Sequence, residues 1–128
     1  MGCCSPSIGL AGLFAALADT TRLRLLNLMA GREVCVCHFV EILGQSQPKI
    51  SRHLAYLRNA GIVAARREGK WMHYSIRNLA DASSASILTS VLRSLGSDEQ
   101  MLADRAKLEC DCTVQLLDIP EDARRIPA

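Results

Sequence analysis

Aromatic side chains are scarce in these 128 residues, at 4% of the chain, while Leu, Ala, Ile and Val dominate an apolar content of 49%. That balance suits helix-on-helix packing better than a sandwich or barrel. No apolar run approaches the roughly 20 residues a membrane helix needs, so no bilayer-spanning segment and no membrane partner are expected. The start, MGCCSPSIGLAGLF, has no basic leader ahead of its apolar part, which argues against a secretory signal. It invites a myristoylation reading, but that pattern wants Ser or Thr at the sixth residue and finds Pro6. Enzyme signatures are missing too. There is no C-x-x-C pair, no phosphate-binding glycine loop and no βαβ alternation, so catalysis such as thiol oxidoreduction is not expected.

What is present fits one ordinary core. Six cysteines without an export signal read as reduced thiols in the cytoplasm, and hence as metal ligands or sensors more than as a disulfide framework. The net charge of +2 conceals an asymmetry. Residues 46–77 hold seven basic side chains against one acidic, whereas residues 96–128 hold four against eight. A basic middle meeting something anionic fits nucleic acid, although a charge run alone is more often a solvated face.

Leu10, Leu13, Phe14 and Leu17 recur at helical spacing, as do Leu23, Leu26, Leu28 and Met29 in a second helix capped by Asp19 or Thr20. A short helix is expected over 38–43, stopping at Gly44. After the turn GQSQ, Pro48 sits where a first helical turn tolerates it, with Ser46 or Gln47 as cap. The helix over 48–60 buries Ile50, Leu54 and Leu57 and turns Lys49, Arg52, His53 and Tyr56 to another face. IVAARREGKWMHYSI reads as two strands around Glu68 and Gly69, with Arg66, Arg67 and Lys70 at the tip and Trp71 and Tyr74 as packing anchors. Helices resume near Asp81, where Ile87, Leu88, Val91, Leu92 and Leu95 form one stripe, and a last helical piece carries Met101, Leu102 and Leu108.

This order makes a mainly α fold with a small β-hairpin, a winged helix-turn-helix. Residues 1–95 form the DNA-binding domain with an N-terminal cysteine-bearing arm, the domain to which the family resemblance given below also assigns dimerisation. Residues 96–128 form an acidic helical extension carrying Cys110 and Cys112. Ser46, Gln47, Ser51 and Arg52 stand at the N-terminal end of the helix that enters the major groove, where Gln and Arg bond bidentately to adenine and guanine edges. Lys49, Arg66, Arg67 and Lys70 read as phosphate contacts. His53 and His73 read as structural residues or phosphate contacts.

ADTTRLRLLNLM, EVCVCHFVEIL, SQPKISRHLAYLRNAGIV and RREGKWMHYSI resemble, in order, the ArsR/SmtB family of metal- and metalloid-responsive winged-helix repressors. SQPKISRHL with GKWMHY is close to its arsenic-responsive branch. The resemblance covers about residues 11–77. It implies a homodimer, packed through the first and fifth helices, that binds a palindromic double-stranded operator when empty and leaves it when an ion binds.

The resemblance also places Cys35 and Cys37 where the family's arsenic and cadmium sensors carry thiolate ligands. Thiols at a helix N-terminus ionise more readily, and soft ions select thiolates. Taken as residues alone, both thiols read first as small buried hydrophobes, and it is the resemblance that turns the reading to ligands. Because residues i and i+2 do not face each other on an intact helix, gripping one ion is expected to distort the first turn. Two departures from the arsenic pattern stand out: Val40 occupies the position of a frequent third cysteine, and His38 that of a frequent Asp. A three-thiolate pocket then takes its third ligand from Cys3 or Cys4, as the resemblance suggests for an arm crossing between subunits, or from Cys110 or Cys112. His38 is a further candidate ligand for zinc or cadmium. DASSASILTSVLRSLG holds no His, so the family's zinc site on the fifth helix is not matched.

The expected function is a repressor released by trivalent arsenic or antimony. The alternative keeps the repressor and changes the trigger to cadmium, lead, zinc or thiol oxidation. A thiol buffer or metallochaperone would leave the basic helix and hairpin without purpose.

Overall fold

The computed structural model describes residues 9–111. Cys3, Cys4 and Cys112, and what was expected of them, lie outside these residues. Helices α1 (Leu10–Leu17) and α2 (Thr20–Met29) come first. Strand β1 (Val34–Cys35) runs into α3 (Val36–Leu43), and α4 (Gln47–Asn59) follows. The hairpin is β2 (Val63–Glu68) and β3 (Trp71–Ile76), after which α5 (Ala82–Leu95) and α6 (Glu99–Asp111) complete the order.

Local chemistry sets these boundaries. Asp19 caps α2 by accepting a 3.1 Å hydrogen bond from the Arg22 amide. Asp81 caps α5 in the same way, accepting from both the amide and the hydroxyl of Ser84. α3 stops at Gly44, whose φ of 67° is the left-handed conformation a helix exit needs and a side chain disfavours. Two residues later Ser46 caps α4, with Pro48 in the first turn.

The sheet has three antiparallel strands in the order β1-β3-β2. The hairpin pairs Val63 with Ile76 through to Glu68 with Trp71, and β1 adds Val34 opposite Tyr74 and Cys35 opposite His73. The sequence reading had the hairpin but not β1, because two residues are too few to show a period. It also began the short helix too late: α3 starts at Val36, so Cys37 lies inside its first turn and Cys35 is its N-cap.

Phe39, Leu25, Leu26, Ile50, Leu54, Leu57 and Ile62 are fully buried where α2, α3, α4 and the hairpin meet. α6 contributes Leu108 to the same core. It is tied to α2 by Asp104, which is wholly buried and accepts 2.8 and 3.0 Å hydrogen bonds from Arg24, and by the Asn27 amide donating to the Met101 carbonyl. Tyr74 packs against the core as expected, but Trp71 does not: it is 48% exposed on the hairpin. No helix among the described residues is long and apolar enough to cross a membrane.

Candidate DNA-reading surface and thiol site

α3, the turn through Gly44 and α4 make a helix-turn-helix. At the start of α4, Ser46, Gln47, Lys49 and Arg52 are exposed, whereas Ser51 is half-buried and Ile50 points into the core. The exposed set combines fork-shaped and short hydrogen-bonding groups with positive charge, which is the chemistry of base edges and phosphates. The hairpin adds exposed Arg66, Arg67 and Lys70.

His53 and Arg66, two of the expected contacts, are engaged by side chains elsewhere in the fold. His53 is turned toward α2, where its Nδ1 stands 3.3 Å from Arg22 and 4.0 Å from Asp19. Arg22 also donates to the carbonyls of Ala15 and Ala16 and lies 4.2 Å from the Tyr56 ring centre, so it clamps α1 to α4. Burial raises the Asp19 carboxyl, but the Arg22 amide and the nearby His53 and Arg22 charges outweigh it and hold Asp19 below its ordinary value. Arg66 sits within β2, not at the tip. It donates to both Glu33 oxygens, at 2.9 and 2.7 Å, and lies 3.6 Å from Glu68. The Arg66 hydrogen bond lowers the Glu33 pKa against the opposing effect of burial.

The thiols lie where β1 turns into α3. Cys35, in extended backbone as the N-cap, is buried, while Cys37 is exposed, and their sulfurs are 3.2 Å apart. The expected distortion of the helix is therefore unnecessary. With Cys35 outside the helical spiral, the i and i+2 sulfurs already face each other and α3 stays intact. Their separation suits one shared ion, since two sulfurs bound at ~2.3 Å stand roughly 3.3 to 3.8 Å apart for bond angles between a right angle and the tetrahedral value. His38 Nδ1 is 3.7 Å from the Cys37 sulfur, and the three donor atoms all lie within 4.8 Å of one another. Cys110, exposed on α6, does not belong to this cluster.

A cleft of about 200 Å³ opens beside the thiols, lined by Cys35, Cys37, Glu68, Trp71 and His73. Sequence reasoning missed these hairpin residues as neighbours of the thiols. The signal was the short run EVCV, which reads as an extended segment but names no partner strand.

The profile described as "Bacterial regulatory protein, arsR family" matches residues 19–65. The arsenical resistance operon repressor of Escherichia coli is 46% identical over 82 residues, 63% of this chain and 70% of that protein. An arsenic resistance transcriptional regulator of Pseudomonas putida is 52% identical over 65 residues, about half of each chain. Among solved structures, a homodimeric winged helix-turn-helix DNA-binding domain of a possible ArsR-family regulator from Mycobacterium bovis superposes with a TM-score of 0.56. It is 31% identical, covering 68% of this chain and 78% of that one.

Proposed function

The chain belongs to the arsR family of bacterial regulatory proteins, which are regulators and not enzymes, and from that premise we propose an arsenic-released repressor. It binds a palindromic operator as a homodimer in the cytoplasm and leaves it when trivalent arsenic, or antimony, is bound by Cys35 and Cys37. The observation that carries this reading is the 3.2 Å approach of the two sulfurs at the start of α3, the helix that immediately precedes the one that reads DNA. A third thiolate comes from Cys3 or Cys4, with Cys110 and Cys112 as the other source.

Each part of the reading has its support. Ser46, Gln47, Lys49, Ser51 and Arg52 on α4, with Arg67 and Lys70 on the wing, supply base and phosphate contacts. His53 supports α4 from behind, as its contacts with Arg22 and Asp19 indicate. Leu10 and Phe14 of α1 are more than half exposed, which leaves an apolar face for a second copy. Release by cadmium, lead or zinc is the second reading, favoured by the imidazole of His38 beside the thiols.

The test is fluorescence-anisotropy binding to an operator-like palindrome under reducing conditions at fixed salt, titrating arsenite and then cadmium. Release by arsenite at low equivalents is expected. Tight binding that neither ion disturbs would sink the thiol-sensor reading.

A further inference from the structure

Tyr56 differs from the aromatic residues that build the core. Phe39 is fully buried and Tyr74 packs against the core, whereas Tyr56, in the third turn of α4, keeps 44% of its surface exposed. It shares a helix face with exposed Lys49 and Arg52, which precede it by seven and four residues. Its hydroxyl has no hydrogen-bond partner among the described residues.

The ring, by contrast, is firmly held. The Arg22 guanidinium lies 4.2 Å from its centre, and Arg22 is itself fixed: Nε and Nη2 donate to the Ala16 and Ala15 carbonyls at 2.8 and 3.1 Å, while Nη1 stands 3.3 Å from His53 Nδ1. Tyr56 is thus held against the last turn of α1, and an exposed group already ordered loses little freedom on binding. A ring that only stacks on Arg22 has no use for a hydroxyl.

Position along α4 says what that hydroxyl meets. A helix rises 1.5 Å per residue, so Tyr56 stands roughly 13 Å beyond Gln47 along the axis, as far as the ~12 Å width of the major groove. With the first residues of α4 over base edges, the third turn comes out at the bounding sugar-phosphate backbone. Tyrosine hydroxyls are among the groups that donate to phosphate oxygens there.

We infer that Tyr56 is a DNA-backbone contact, its hydroxyl donating to a phosphate oxygen at the edge of the groove that α4 enters, with Arg22 as the residue that positions the ring. The inference rests on the reading of α4 as the helix that reads DNA. Because Arg22 is anchored on α1, whose exposed Leu10 and Phe14 are offered to a second copy, the contact ties the grip on the backbone to the element that spaces two reading helices. Its signature differs from that of Lys49, Arg67 or Lys70. An uncharged donor releases no counterion, so its loss lowers affinity without changing the salt slope, and does so on any duplex.

The test compares the full chain with Tyr56→Phe and with Arg52→Ala, by fluorescence anisotropy on the operator-like palindrome and on an unrelated duplex of equal length, at several salt concentrations. Tyr56→Phe keeps the ring on Arg22 and removes only the hydroxyl, so its melting temperature should match the wild type. Affinity for both duplexes should fall by about three- to tenfold for each subunit's lost hydrogen bond, along a parallel salt line. Ethylation interference should reveal a phosphate in each half-site whose modification weakens the wild type but not Tyr56→Phe. With Arg52→Ala weakened on the operator, a Tyr56→Phe affinity equal to wild type, a loss confined to the operator, or an unchanged interference pattern would each overturn the inference. Wild-type operator affinity in Arg52→Ala and Tyr56→Phe alike would instead overturn the reading of α4 beneath it.

Discussion

Glu33 and Arg66 are joined by two hydrogen bonds of 2.9 and 2.7 Å, so the residue just ahead of the thiol strand grips the wing. This bidentate pair gives the Arg66 guanidinium a carboxylate partner in the absence of DNA. Arg67 and Lys70 are held differently: Arg67 donates to the Gly69 carbonyl, and Lys70 lies 5.4 Å from the Trp71 ring centre. Neither contact neutralises the charge.

The wing cations should accordingly separate in their effect on operator binding. Arg67→Ala and Lys70→Ala should each flatten the slope of log affinity against log salt by about 0.9, the loss of one phosphate contact. Arg66→Ala should flatten it distinctly less, because a charge already held by Glu33 releases fewer counterions. Anisotropy titrations between 50 and 200 mM salt, a range over which such contacts change affinity by roughly orders of magnitude, measure the slopes. Equal slopes for all three variants would show that Arg66 abandons Glu33 on DNA.

The same pair sets a pH dependence. Arg66 holds the Glu33 carboxyl below its ordinary value of 4.5. A carboxyl depressed in the folded state contributes stability that is fully present above its unfolded pKa and is lost as pH falls through the folded one. The stability difference between wild type and Glu33→Gln should thus be constant from neutral pH down to about 5 and shrink below it. Urea melts across that range read the difference, and one that grows on acidification would contradict the sign.

α4 offers a contrast between two residues one position apart. Arg52 is exposed, and Arg52→Ala should weaken operator binding by about 1 to 3 kcal/mol while leaving the melting temperature unchanged. His53 faces Arg22, so His53→Ala should lower stability by about 1 kcal/mol and change DNA affinity only as far as it loosens α4. Anisotropy and thermal melts on the two variants decide the matter, and the reverse pattern would exchange the two roles.

For the thiols, Cys35→Ser combined with Cys37→Ser should produce a repressor that stays on its operator when arsenite is added. A typical allosteric coupling of ~1 to 3 kcal/mol should disappear with the two sulfurs. Normal release by the double variant would remove these thiols from the mechanism.

Much of this was legible in the sequence, for identifiable reasons. Asp19 or Thr20, and Ser46 or Gln47, mark the starts of α2 and α4 because capping is local chemistry, with Asp19 and Ser46 the caps found, and Ile50, Leu54 and Leu57 declare their buried face by spacing alone. What depends on partners distant in the chain was not legible. Nothing in EVCV says that Cys35 pairs with His73, or that Glu33 reaches Arg66, because a two-residue strand has no period and ion pairs carry no sequence signature. Trp71 shows the same limit: hydrophobicity marked it as an anchor, but the register sets it beside Glu68 at the exposed end of the hairpin.

α6 carries the last prediction, since its hold on the domain rests on charge as much as on apolar contact. Asp104 is fully buried and accepts from Arg24 twice and from Gln100 once. The Asp104 hydrogen bond is the first cause of the raised Arg24 pKa. Asp104→Ala would leave that guanidinium without its carboxylate, and breaking a buried pair from one side costs about 3 to 5 kcal/mol. The Arg24 side chain keeps 17% of its surface exposed, and water there offsets part of the loss, so about 3 kcal/mol is expected in a urea melt. Replacing both partners, Arg24→Met with Asp104→Leu, should recover most of it, because neither charge then remains to be desolvated. A loss below about 1 kcal/mol for Asp104→Ala would place the pair among ordinary surface bridges and leave Leu108 and Met101 to hold α6.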